Sequence, residues 1–68
     1  MSSFVRFVLT HRKDDSAWGD LAKDVAADRQ VVRTWNWTRF EAYMQSHGAS
    51  ANAWGVMEEM NEAYKRMK

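Results

Sequence analysis

The chain has 68 residues, no cysteine and a net charge of +1. This length allows one domain, which we place over residues 1–68. The lack of cysteine excludes disulfides and thiolate metal sites, and no segment reaches the roughly 20 apolar residues of a transmembrane helix. Since no segment resembles a signal peptide either, we expect a cytoplasmic protein. Four tryptophans, three phenylalanines and two tyrosines supply rings that each bury about 150–250 Å².

Helical periodicity of the apolar residues occurs in four segments, which we predict as helices over residues 3–12, 17–28, 37–47 and 51–66. Each segment starts beside a side chain that accepts the free amide hydrogens of a first turn. These N-caps are Ser2 or Ser3, Ser16 or Asp15, Asn36 with Thr34 as the alternative, and Ser50. Gly48 is suited to a left-handed stop after the third helix. Because short helices with brief connectors must wrap around one another, we expect an all-α, compact four-helix domain.

The inner faces of the helices follow from the same spacing. In the second helix, this face consists of Trp18, Leu21, Ala22, Val25 and Ala26. We therefore expect Trp18 in the core. In the fourth helix, it consists of Trp54, Met57, Tyr64 and either Met60 or Asn61. Gly55 costs this helix about 1 kcal/mol relative to alanine, and we expect it to let a neighbouring helix approach closely.

Charge is segregated along the chain. Residues 1–13 contain three cations and no acid, whereas residues 14–28 contain five aspartates and one lysine. Residues 29–47 contain three arginines and one glutamate, and residues 48–68 balance at zero. The molecule is therefore expected to be bipolar, with an acidic second helix and basic flanks.

Two sets of candidate contact residues follow. A basic surface suits phosphates and other anions, and its candidates are Arg6, Arg12, Arg29, Arg33 and Arg39. A protein contact suits the acidic helix and the surplus aromatic side chains, and its candidates are Asp20, Asp24, Trp35 and Trp37. In a helix, Trp35 and Trp37 are about 200° apart around the axis. At least one of these two rings is therefore expected to be partly exposed.

The residue pattern does not indicate an enzyme. Catalysis needs a nucleophile, a base and an orienting acid in one pocket, and the serines lie mostly at helix ends, where capping explains them. His11 and His47 lack the spacing of paired metal ligands, and a helix C-terminus favours a partly cationic side chain at each position. Asp14 and Asp15 are interpreted as solvated loop acids. We expect no catalytic residue, cofactor, metal ion or small-molecule substrate.

The order of the segments resembles the YozE family of small bacterial proteins. The matching segments extend over about residues 3–67 and are Ser3-Phe4 with the apolar helix ending at Arg12, Leu21-Ala22 with Asp28, Phe40-Glu41-Ala42-Tyr43-Met44, and Met60-Asn61-Glu62-Ala63-Tyr64. Val31-Val32 departs from the Phe-Pro of the family, and Trp35-Asn36-Trp37 is unusually aromatic. The resemblance implies a fold like the sterile alpha motif. It suggests DNA binding only by structural analogy.

Two roles fit these observations. The first is protein–protein interaction, with an unknown protein partner or by self-association, which the bipolar charge and surplus aromatic residues favour. The second is a DNA-binding accessory role for the basic residues. A net charge near zero is far below the basic profile of a nucleic-acid domain. No helix combines several Arg or Lys with Asn or Gln on one exposed face, as a groove-reading helix would. We therefore favour protein interaction.

We predict that the domain folds without a metal ion. Because neither thiolate ligands nor paired histidines are present, EDTA should leave the circular dichroism melting curve unchanged. A lower melting temperature in EDTA, restored by an added divalent ion, would show that the fold depends on a metal site.

Overall fold

The computed structural model describes residues 3–67, which form four helices and no strand. The helices are α1 (Phe4–Leu9), α2 (Ala17–Ala27), α3 (Trp37–Ser46) and α4 (Ala51–Met67). The all-α four-helix prediction is confirmed, and the predicted bounds of α2, α3 and α4 agree with the structure to within one residue. Within the described residues, no helix is both long enough and apolar enough to span a membrane.

Helix α1 is shorter than predicted because the chain tightens after Leu9. The N–H of His11 donates to the carbonyl of Val8 at 3.0 Å, and the N–H of Arg12 donates to the carbonyl of Leu9 at 3.3 Å. Both bonds join residues three apart, which is the pattern of a tighter turn rather than of an α-helix. The Thr10 hydroxyl also donates to a carbonyl within α1.

Three of the predicted N-caps are confirmed by a side-chain oxygen that lies 2.9–3.2 Å from the amide nitrogen three residues on: Ser3, Asn36 and Ser50. Ser16 precedes α2 without a side-chain capping bond. Gly48 has a φ of 66°, which confirms the left-handed stop after α3. The alternative cap Ser2 lies outside the described residues.

Helix α1 is the element against which the other three helices pack. Its buried side chains are Phe4, Val5, Phe7 and Val8. The ring of Phe4 lies 5.1 Å from that of Trp37, 5.5 Å from that of Phe40 and 5.8 Å from that of Tyr64. One side chain of α1 thus joins rings from both α3 and α4. Ring pairs at these separations add specific attraction to the burial of apolar surface.

Trp18 was expected in the core, and the structure places it at the edge, partly buried and packed against the core residues. Its ring is half-buried and packs edge-on against His11, with the ring centroids 4.9 Å apart. The indole N–H donates to Oε1 of Glu59 at 2.6 Å. Because a buried indole needs a partner for its N–H, the side chain stays where a surface carboxylate can reach it. The rest of the predicted α2 face is buried at Leu21, Ala22 and Val25, whereas Ala26, in the last turn, is exposed.

The expectation that Gly55 allows close helix approach is wrong. Gly55 is exposed, and a Cβ built on it would meet no atom within 4 Å. The glycine at a close approach is Gly19, which is buried in the first turns of α2. A Cβ at Gly19 would overlap the carbonyl group of Asp14. The loop between α1 and α2 therefore crosses directly over Gly19.

Alanine substitutions at the two glycines should have opposite effects. Gly55→Ala should raise the free energy of unfolding by about 1 kcal/mol, since it removes backbone freedom in an exposed helix interior. Gly19→Ala should lower it by about 1–3 kcal/mol, because the loop must shift to admit the methyl group. Urea denaturation of both variants measures these changes. Destabilisation by Gly55→Ala, or a neutral Gly19→Ala, would contradict the described packing of α2 and α4.

Candidate functional site

Four cations line one groove beside α1. The groove has a volume of about 400 Å³ and is lined by Arg6, Leu9, Thr10, Arg12, Lys13 and Arg33. All four cationic side chains are exposed, and none has an ion-pair partner among residues 3–67. This surface, which we call the basic groove, therefore presents unneutralised positive charge to the solvent.

The basic groove lies on the outer side of α1. The helix turns by about 100° per residue, so Arg6 points away from the core that Phe4 and Val8 enter. Leu9, at the end of the helix, is half-buried and forms an apolar part of the groove. The groove thus combines cations with an accessible apolar side chain.

Arg33 reaches the groove because Ser3 ties the connector between α2 and α3 to α1. The Ser3 hydroxyl donates to the carbonyl oxygen of Arg33, thirty residues away, and accepts from the N–H of Arg6. The N–H of Val5 also donates to the carbonyl of Trp35 at 3.3 Å. The residue that caps α1 therefore also places Arg33 beside it.

A smaller hollow of about 190 Å³ continues the basic groove and shares Leu9 and Arg33 with it. Its remaining lining residues are Val5, Val25, Ala26, Asp28, Arg29 and Val31. Val31 is half-buried and Arg29 is exposed. This surface, which we call the side hollow, exposes more polar than apolar surface, but it places the accessible methyl groups of Leu9, Ala26 and Val31 next to the cations and Arg29 at their side.

Asp28 anchors the connector to α3. Its Oδ2 accepts from the Tyr43 hydroxyl at 2.6 Å, and its Oδ1 accepts from the backbone N–H of Gln30 at 2.9 Å. These two hydrogen bonds, with the Tyr43 bond the stronger cause, hold the pKa of Asp28 below its ordinary value. The same bond to Asp28 raises the pKa of Tyr43. Asp28 is therefore ionised at neutral pH and is occupied by internal donors.

Arg39 does not line the basic groove. Its guanidinium carbon lies 5.4 Å from the ring centroid of Trp35, a separation at which a cation is attracted to an aromatic face. Trp35 also packs against Tyr43, with the ring centroids 5.3 Å apart. Of the predicted anion contacts, the structure thus brings together Arg6, Arg12 and Arg33, places Arg29 next to them, and places Arg39 in another pocket.

The residues predicted for protein contact are divided between two elements. Asp20 and Asp24 are exposed on α2 and form no ion pair with the described residues. Trp35 and Trp37 are both half-buried, which confirms the expectation of partial exposure. Trp35 comes directly before the cap residue Asn36 and Trp37 directly after it, and both rings pack against the core.

A second groove, of opposite charge, lies between α3 and α4. It has a volume of about 420 Å³ and is lined by Trp37, Glu41, Glu58, Glu59, Asn61 and Glu62. We call it the acidic groove. The sequence does not predict it, because the three glutamates of residues 48–68 are balanced by three cations at the end of the chain and the segment has no net charge.

The chain matches no protein-family model, no curated protein and no solved structure. Among residues 3–67, no group of three or more His, Asp or Glu side chains is placed to hold a metal ion. The functional interpretation therefore depends on the two grooves themselves.

The Asp28–Tyr43 bond predicts a pH-dependent effect of Tyr43→Phe. A carboxyl group whose folded pKa is lowered adds stability above its unfolded pKa, and this stability is lost as the pH falls through the folded pKa. Tyr43→Phe should return the pKa of Asp28 toward its ordinary value of 3.8. The variant should therefore be less stable than wild type at pH 7, and the difference should shrink below pH 3.8.

Urea denaturation at pH 7 and at pH 3, with a carbon-13 titration of the Asp28 carboxyl group, measures this effect. Thr38→Val, which removes an exposed hydroxyl at the start of α3, is the control. An equal loss of stability at both pH values would show that the Tyr43 hydroxyl acts independently of the Asp28 charge.

Proposed function

We propose that this chain is a non-enzymatic binding module that mediates protein–protein interaction, and that its basic groove binds an acidic segment of the partner protein. The observation that carries the proposal is the continuity of the basic groove with the side hollow, where the accessible methyl groups of Leu9 and Val31 lie beside Arg33. A segment with apolar side chains flanked by Asp and Glu would complement both parts of this surface.

Each part of the surface supports a different aspect of such binding. The four unpaired cations attract an acidic segment and orient it, and such charges act mainly on specificity and association rate. Leu9 and Val31 are accessible to apolar side chains of the partner. Apolar surface that is removed from water on binding contributes to affinity. A partner that carries only charge would therefore bind weakly.

The two shifted pKa values do not mark a candidate catalytic site. Groups with strongly shifted pKa values mark candidate catalytic sites when they lie in a cleft that can bind a substrate. Among residues 3–67, the two groups with a clear pKa shift are Asp28 and Tyr43, which bond to each other. Their bond fastens the connector to α3, so these shifts have a structural cause.

A DNA-binding accessory role is the second candidate. It is favoured by Arg6, Arg12, Lys13 and Arg33 on one surface, because cations that contact a run of phosphates must lie together. The accessible Leu9 and Val31 side chains favour a protein partner instead, since phosphate and sugar contacts are made by cations and hydrogen-bond donors. Methyl groups have no corresponding role along a nucleic-acid backbone.

Fluorescence anisotropy with two probes separates these roles. The first probe is a labelled peptide in which leucines are flanked by Asp and Glu, and the second is a labelled DNA duplex. We predict saturable peptide binding at physiological salt and a loss of about tenfold or more in the double variant Arg6→Ala/Arg33→Ala. Lys23→Ala/Arg66→Ala, which removes the same charge from other exposed positions, should bind the peptide like wild type.

The titration with the labelled DNA duplex has a separate expected result. DNA binding should be negligible at physiological salt and, if seen at low salt, should fall with a log–log slope of roughly −0.9 for each phosphate contacted. Retention of DNA at physiological salt without peptide binding would replace protein interaction with the nucleic-acid role. Equal loss of peptide binding in both double variants would show that net charge, rather than the basic groove, determines binding.

A further inference from the structure

The acidic groove contains a buried polar side chain without a partner. Asn61 is only 7% exposed, and its carboxamide forms no hydrogen bond with the residues that the structure describes. Among the described residues, every side-chain nitrogen or oxygen that is fully shielded from solvent has a partner. The Asn61 carboxamide atoms have none, so they must keep some solvent access. Because Asn61 lines the acidic groove, its carboxamide atoms are reachable from that groove, where a ligand can satisfy them.

An asparagine at this position is not explained by packing. Asn61 lies in α4 next to Met60 and one turn after Met57, which are both fully buried. An apolar residue would continue this face, whereas the Asn61 carboxamide has no protein partner and keeps access to the groove. A buried carboxamide that opens into a groove is what a binding site for a hydrogen-bond donor requires.

The surroundings of Asn61 select a cationic donor. The groove is lined by the carboxylates of Glu41, Glu58, Glu59 and Glu62 and by no cation. Glu59 already accepts the indole N–H of Trp18, and Glu62 lies 3.5 Å from the Lys65 ammonium. Glu41 and Glu58 have no ion-pair partner among residues 3–67. Their charges remain available to a bound cation.

Trp37 adds an aromatic wall to the site. Its half-buried ring is held edge-on against Phe4, with the ring centroids 5.1 Å apart, so the indole is positioned before a ligand arrives. An indole attracts cations to its face. The same kind of contact occurs elsewhere in this molecule, where Arg39 lies over Trp35.

We propose that the acidic groove binds the guanidinium group of an arginine side chain from a protein. A guanidinium is planar, stacks on an indole and donates several hydrogen bonds in a fixed fork to carboxylates. In the acidic groove, the guanidinium would stack on Trp37 and form ion pairs with Glu41 and Glu58. It would also donate a hydrogen bond to the Asn61 carbonyl oxygen. Lysine offers a compact, strongly hydrated ammonium and would bind less well.

Two different molecules can supply this arginine side chain. It belongs either to a separate protein or to a second copy of this chain, which exposes Arg6, Arg12 and Arg33 in its basic groove. In the second case the two grooves would join head to tail, and such contacts propagate unless the rotation between copies closes a ring.

A nuclear magnetic resonance titration tests the site directly, because the Trp37 indole N–H and the Asn61 side-chain amide each give their own nitrogen-15 signal. The probe is a blocked Ala-Arg-Arg-Ala peptide, with its lysine and its uncharged citrulline counterparts as controls. We expect saturable shifts of these two signals with the arginine peptide, weaker shifts with the lysine peptide and none with the citrulline peptide.

The variants separate a built site from general attraction. Asn61→Leu, which keeps the core apolar, and Glu41→Gln/Glu58→Gln should each weaken peptide binding about tenfold. Asp14→Asn/Asp15→Asn removes the same charge from exposed positions in the loop between α1 and α2 and should leave binding unchanged. Equal weakening by the two double variants, full binding by a folded Asn61→Leu, or no saturable shift would overturn the proposal.

A dilution series of the protein alone distinguishes the two sources. If a second copy supplies the arginine, the Trp37 and Asn61 signals should move with protein concentration, and Arg6→Ala/Arg33→Ala should abolish that movement. If a separate protein supplies it, these signals should be independent of concentration and should respond only to the added arginine peptide.

Discussion

Burial of the short helix α1 is the constraint on which the rest of the structure depends. Its six residues are far too few to form a stable isolated helix, and its stability must come from contact with α2, α3 and α4. The ring of Phe4 lies within 5.8 Å of three rings from α3 and α4. With its inner side filled in this way, α1 presents Arg6 on its outer side to the solvent.

This arrangement also separates the two charged grooves. The basic groove lies on the outer side of α1, whereas the acidic groove includes Trp37, which contacts Phe4 on the inner side. Opposite charges on separate faces keep the basic side chains from being neutralised within the molecule. Ser3 connects the cap of α1 to the basic groove, since it both caps this helix and fixes Arg33 beside Arg6.

Local features were predictable from the sequence and tertiary ones were not. Caps such as Asn36 and the stop at Gly48 depend on a few adjacent residues, so the bounds of three helices follow from local chemistry. The groove around Arg6 and Arg33 depends on a bond across thirty residues. The role of Gly19 depends on a loop that crosses it. The acidic groove joins residues of two helices and has no counterpart in the charge of either segment alone.

The most direct test of the basic groove as the protein-contact surface is paramagnetic relaxation by a nitroxide-labelled acidic peptide that contains leucines. We predict that the methyl signals of Leu9 and Val31 broaden most, because these side chains line the groove and the hollow beside it. The indole signal of Trp37, in the acidic groove, should stay sharp. Broadening centred on Trp37 and α4, or spread evenly over all methyl groups, would contradict the assignment of the basic groove.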